Sequence, residues 1–200
     1  KGTLSMSSVN GRVGQRLRLQ VIDLVQLHAI DQDESLDEVL APDGMLRLLE
    51  EYRADGRVRF VGLSGHTRPA QFVRLIGQYA FDTILNPAGP VNTVWNDFTR
   101  TSLAAARARG MGTVGMKVMA YGKVPPPDRA AYIRYAMSRD VDVAIVGMDT
   151  VEQVEQNVAV AEAYAPLEPD AERQLLERAL ALVLEERQQL WWLPAERPQP

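Results

Sequence analysis

The chain contains no cysteine among its 200 residues. That excludes disulfides, thiolate metal sites, cysteine-ligated iron–sulfur clusters and a cysteine nucleophile. Lysine is nearly as scarce: Lys1, Lys117 and Lys123 are the only ones, and the other cations are scattered arginines. With a formal net charge of −4 and no basic stripe, no nucleic acid is expected as a partner. No apolar run approaches the ~20 residues of a membrane span. The first twenty residues also lack the apolar block of a signal peptide. The expectation is a cytoplasmic protein that engages no membrane. Histidine occurs only at His28 and His66, too far apart in sequence to suggest a metal site, and none is expected.

What is present is ordinary globular composition, 46% apolar and 24% charged, in a length that suits one domain over residues 1–200. The reading is organised by Val21–Asp31, an apolar run broken by Asp23 and ending at a histidine. Short runs rich in Val, Ile and Leu suit strands covered on both faces. Residues 1–20 read as an irregular segment with a short helix around Val13 to Leu19. The strands are read at Val21–His28, Val58–Ser64, Phe81–Leu85, Gly112–Ala120 and Val141–Val146. Between them lie helical patterns. Leu36–Asp55 is interrupted at Ala41–Gly44, with Asp43 as a cap. Arg68–Tyr79 has Thr67 as its cap. Asp97–Arg109, Arg129–Arg139 and Thr150–Tyr164 follow, the last with an apolar stripe of Val151, Val154, Val158 and Ala161. Asn86–Asn96 and Gly122–Asp128 read as loops, and Pro169–Leu193 as one long final helix.

Strand alternating with helix implies parallel strands joined by right-handed crossovers. The choice is between a doubly wound open sheet and part of a barrel, and no Gly-x-Gly-x-x-Gly follows a strand to favour the first. Parallel strands place functional groups in the loops after their ends. Those ends hold His28, Ser64-Gly65-His66-Thr67, Asn86, Lys117 with Tyr121, and Gly147-Met148-Asp149-Thr150. The start of the Thr150 helix offers free amides to a phosphate. Each residue has a plainer role open to it: a core histidine, turn or cap residues, a solvated Asp142. Lys117 is the harder one to dismiss, because burying its charge alone is costly. Trp191-Trp192 fits a docking patch.

Four blocks resemble the aldo/keto reductase family. Ile22-Asp23-Leu24-Val25-Gln26-Leu27-His28 is similar to the strand that delivers the family's catalytic histidine. Gly56–Ser64 is similar to the next strand, whose serine holds the nicotinamide carboxamide. Gly112–Ala120 resembles the seventh strand. Ala144–Asn157 resembles the last strand and the cofactor-phosphate helix, whose asparagine meets the adenine. The blocks run in family order and cover roughly residues 16 to 170.

The resemblance implies an α/β fold of (β/α)8 TIM-barrel type, incomplete. About five parallel β/α units, the fourth to eighth, are present, with a C-terminal helix over 169–193. The first three strands, which carry the catalytic tyrosine and aspartate, would be absent, and Lys1 would stand for the catalytic lysine. The implied function is an oxidoreductase, NAD(P)H-dependent reduction of a small-molecule carbonyl to an alcohol, impaired because no tyrosine precedes His28. His28 would be catalytic. Ser64, Asn86, Lys117, Gly147, Met148, Thr150, Gln153 and Asn157 would bind NADP(H) or NAD(H). Gly65 replaces the family's asparagine. Gly147 and Gln153 replace a lysine and an arginine, which weakens the grip on a 2′-phosphate. The alternative is a non-catalytic nucleotide-binding or partner-binding barrel fragment, self-associating through open sheet edges or the C-terminal helix.

Overall fold

A computed structural model describes residues 19–31 and 33–197, with backbone only for 33–36. Five strands form one sheet: β1 (Ile22–Leu27), β2 (Val58–Ser64), β3 (Thr83–Pro87), β4 (Gly112–Met116) and β5 (Val143–Ala144). The order in space is the order in sequence, and every neighbouring pair is parallel. Among the described residues eight α-helices accompany them: α1 (Asp33–Leu40), α2 (Met45–Ala54), α3 (Pro69–Gln78), α4 (Pro90–Trp95), α5 (Ala104–Arg107), α6 (Arg129–Ser138), α7 (Val151–Glu162) and α8 (Pro169–Glu186).

A doubly wound sheet reverses its strand order; this one does not. Crossovers of one hand between sequential neighbours keep the helices on one face, as in a barrel wall. Burial agrees. Val61, Leu63 and Ile84 are buried with Leu49, Phe72 and Leu75 of α2 and α3. On the opposite face Leu24 and its partner Phe60 remain 39% and 43% exposed. A second core joins Val91 of α4 and Tyr132 and Tyr135 of α6 to Leu175, Ala179 and Val183 of α8.

Several elements differ from expectation. β4 stops at Met116 because Lys117, Ala120 and Tyr121 have φ of 60°, 45° and 58°, outside any strand. β5 keeps two ladder residues. The loop after β3 contains α4, with Pro90 in its first turn, where a missing N–H costs nothing. Asp97–Arg109 divides into a π-helical turn, Thr99–Leu103, and the short α5. The final helix ends at Glu186, and the tail folds back to bury Leu190, Trp192 and Leu193. The Arg187 guanidinium holds that turn through the Leu193 carbonyl at 2.7 Å.

The stripe on α7 covers no described core: Val151 and Val158 are 68% and 48% exposed. Thr150, which with Asp149 was a cap candidate by sequence, caps α7 by accepting from the Gln153 amide at 3.3 Å. Thr67 and Asp43 do not cap; Arg68 and Gly44 hold those positions without a side-chain bond. Asp142 is exposed but not merely solvated, since its carboxylate accepts from the Thr113 amide at 2.7 Å and from Arg107 at 2.8 Å. The expected helix around Val13 and the position of Lys1 lie outside the described residues.

Candidate active site at the strand ends

All five strands run one way, so their carboxyl ends share a rim. His28 leaves β1 directly onto it and is exposed. The next residue, Ala29, has φ of 55°, so the backbone turns sharply behind the imidazole. Ser64, at the end of β2 and 2% exposed, holds that turn. Its hydroxyl lies 3.4 Å from both the Ala29 amide, which donates to it, and the Leu27 carbonyl, which accepts from it. The Ile30 amide donates to the Ser64 carbonyl at 3.0 Å.

Three residues past His28, Asp31 is buried under the β2 loop. Its Oδ1 accepts from the His66 amide at 2.6 Å and the Thr67 amide at 2.9 Å; its Oδ2 meets His66 Nδ1 at 3.2 Å. Burial alone would raise the Asp31 pKa, but the bonds from His66 and Thr67 outweigh it and hold the carboxyl below the usual range. Gly65 makes this approach possible. A Cβ there would fall 2.3 Å from Phe72 Cζ and 2.7 Å from Asp31 Oδ1.

The His66 ring lies 6.3 Å from His28 and 5.2 Å from Trp191, centre to centre. Trp191 belongs to the returning tail and is 56% exposed, while Trp192 is fully buried. Beyond it, the Lys117 ammonium sits 4.8 Å from the Trp191 ring and 4.9 Å from the Trp192 ring. Burial lowers the Lys117 pKa, and no described carboxylate pairs with it.

Asn86 is fully buried and its amide is engaged within the protein. It donates to the Gly65 carbonyl at 3.0 Å, and its Oδ1 accepts from Ser102 at 2.8 Å. Gly147, Gln153 and Asn157 instead line a cavity of about 430 Å³ between α6, α7 and the segment after β4, with Met119, Arg129 and Asp149. Met148 faces a neighbouring groove with Val154 and Val158. Thr150 stands exposed at the mouth of α7. The predicted residues thus fall into two groups along one rim, His28–Ser64–Lys117 and the α7 set, with Met119 two residues past Lys117 reaching the second.

Asp31, Arg129 and Trp191 are the residues that sequence reasoning left out of the site. His66 was read at the end of the second strand but given no role there. Chemically, the cavity is of small-molecule size. It offers a guanidinium for a phosphate and an amide for a base edge, opposed by the Asp149 carboxylate.

The Aldo/keto reductase family model matches residues 9–132. No curated protein matches the chain in sequence. Among solved structures, the holo form of aldo-keto reductase AKR11C1 from Bacillus halodurans is 21% identical, with a TM-score of 0.62 over 83% of this chain and 61% of its own. Its apo form is 19% identical, with a TM-score of 0.59 over 83% and 64%. The glycerol dehydrogenase AKR11B4 from Gluconobacter oxydans is 18% identical, with a TM-score of 0.59 over 94% and 64%. The chain therefore spans about three-fifths of the length of these structures.

Proposed function

The chain belongs to the aldo/keto reductase family, and on that premise we propose that it carries the carbonyl-polarising and cofactor-binding rim of an NAD(P)H-dependent carbonyl reductase. The nicotinamide, when bound, supplies the hydride. The protein's share is placement and electrostatics. His28 hydrogen-bonds the carbonyl oxygen and stabilises its developing charge. Ser64 and Asn86 order the strand ends around the nicotinamide, and Lys117 faces the dinucleotide's phosphates. The cavity at α7 receives the adenine end through Asn157 and Gln153, with the Met148–Val151 amides and the Thr150 cap at its mouth. Arg129 stands in for the cations that Gly147 and Gln153 no longer supply.

The observation that supports this reading most is the exit of His28 from β1 onto the rim that also carries the 430 Å³ cavity. On this reading β1 to β5 are the barrel's fourth to eighth strands. The test is a titration with NADPH and NADH followed by nicotinamide fluorescence. Binding that Asn157→Ala weakens about tenfold is expected; no binding of either nucleotide refutes the reading.

A second reading is self-association of the barrel segment. Leu24, Phe60 and Val143 lie exposed on the face away from the helices, and the outer edges of β1 and β5 are unpaired among the described residues. Light scattering that shows a monomer across micromolar concentrations removes it.

A further inference from the structure

We propose that the cavity beside α7 takes an adenosine whose ribose is unphosphorylated, so that the chain binds NAD(H) in preference to NADP(H). This rests on the reading above of a nucleotide site at that cavity and adds which nucleotide the site admits.

The charges around the cavity decide between the two. Among its lining residues Arg129 is the one cation and Asp149 the one anion, so the lining is neutral overall. A phosphate monoester carries about two negative charges at neutral pH. The pyrophosphate that both nucleotides share draws on the same guanidinium. Neighbouring cations are already engaged: Lys123 pairs with Glu186 at 3.3 Å and Arg178 with Asp128 at 3.0 Å.

The start of α7 does not make up the deficit. A helix start attracts phosphate through its unbonded amides and the positive end of its dipole. Here the chain's own groups occupy both. The Gln153 amide donates to the Thr150 hydroxyl oxygen at 3.3 Å, and the Asp149 amide donates to Gln153 Oε1 at 2.8 Å. The Glu152 carboxyl is held below its usual range by its own amide first and by the Thr150 hydroxyl second, so it is ionised at neutral pH. Asp149, Glu152 and, one turn further, Glu155 are all exposed. A dianion brought to this end of the helix meets like charge and few available donors.

An unphosphorylated ribose meets the reverse. Its hydroxyls donate, and a carboxylate accepts. The Asp149 carboxylate lines the cavity and has no hydrogen-bond partner among the described residues. An acidic side chain against the ribose hydroxyls favours the unphosphorylated dinucleotide, where an arginine would accept the phosphate.

The experiment titrates the 200-residue chain with NADH and NADPH, followed by nicotinamide fluorescence. A second pair, ADP and its 2′-phosphorylated form, followed by calorimetry, reads the adenosine end without the nicotinamide. In each pair the unphosphorylated member should bind about tenfold more tightly, the effect of two exposed like-charge contacts. Asp149→Asn should weaken NADH, and Glu152→Gln should tighten NADPH, so each narrows the gap from its own side; circular dichroism checks that both variants keep the fold. Salt at about 0.5 M should narrow it too, because it screens exposed charges. Equal binding within the pairs, tighter binding of NADPH, or a gap that neither variant moves overturns the proposal. Failure to bind any of the four nucleotides refutes the underlying reading, and the preference falls with it.

Discussion

Lys117 and Trp191 meet with the ammonium 4.8 Å from the indole centre, and no described carboxylate shares that ammonium. The contact is a cation–π interaction in a half-buried setting. Burial disfavours the charged form, so the Lys117 pKa falls and a larger fraction of neutral amine exists at any pH below the usual ~10.4. Lys123, by contrast, pairs with Glu186 at 3.3 Å. An amine-reactive ester at pH 8.5 should acylate Lys117 faster than Lys123, and bound nucleotide should protect it. Peptide mass spectrometry after short exposure checks both; faster labelling of Lys123 would count against the cage.

Gly65 should tolerate nothing larger. Its missing Cβ position lies 2.3 Å from the Phe72 ring, which is itself fully buried. Gly65→Ala must push apart β2, α3 and the Asp31 loop, a cost of about 1–3 kcal/mol. A urea midpoint equal to the parent's would show that the loop yields freely.

Acid should loosen the β4–β5 edge. Asp142 accepts from the Thr113 amide first and from Arg107 second, and these hold its carboxyl below the usual carboxylate range. A depressed carboxylate contributes stability above its unfolded pKa and loses it as pH falls through the folded value. Parent protein should therefore lose stability below about pH 4, and Asp142→Asn should lose less over the same window. Thermal melts between pH 2 and 6 measure the difference.

Trp192→Ala should release the tail. The side chain is fully buried between α4 and α8, with its indole N–H 3.4 Å from Asn92 Oδ1. Removing it should cost about 3–5 kcal/mol. The neighbouring Trp191→Ala, half in solvent, should cost far less yet uncover His66. Denaturant unfolding of the two variants separates anchor from cover.

The strand series was legible because short runs rich in Val, Ile and Leu recur at strand length, as at Val21–Leu27, broken by Asp23 and Gln26, and at Val58–Leu63, broken by Arg59. The early end of β4 was not. The residues that turn the backbone there, Lys117, Ala120 and Tyr121, are not glycine, and composition carries no trace of their positive φ. The fold-back at Glu186 was hidden because Leu190, Trp192 and Leu193 continue an apolar pattern that suits a helix as well as a buried tail. The stripe on α7 was visible, but periodicity reports that a face is apolar and not what covers it. The Asp31–His66 contact joins residues 35 apart in sequence, with no local spacing to announce it. For the same reason Asn86, read as a ligand, gave no sign that Gly65 and Ser102 already occupy its amide.

The strands stand side by side in the order in which a ribosome would release them. Each new strand docks onto the one just finished, closing a loop of one or two short helices and their connections, and such near-neighbour pairing keeps contact order low. Growth of the sheet is then directional: a nascent chain halted after β4 would already hold β1 to β4 in native register, with β5 still to dock.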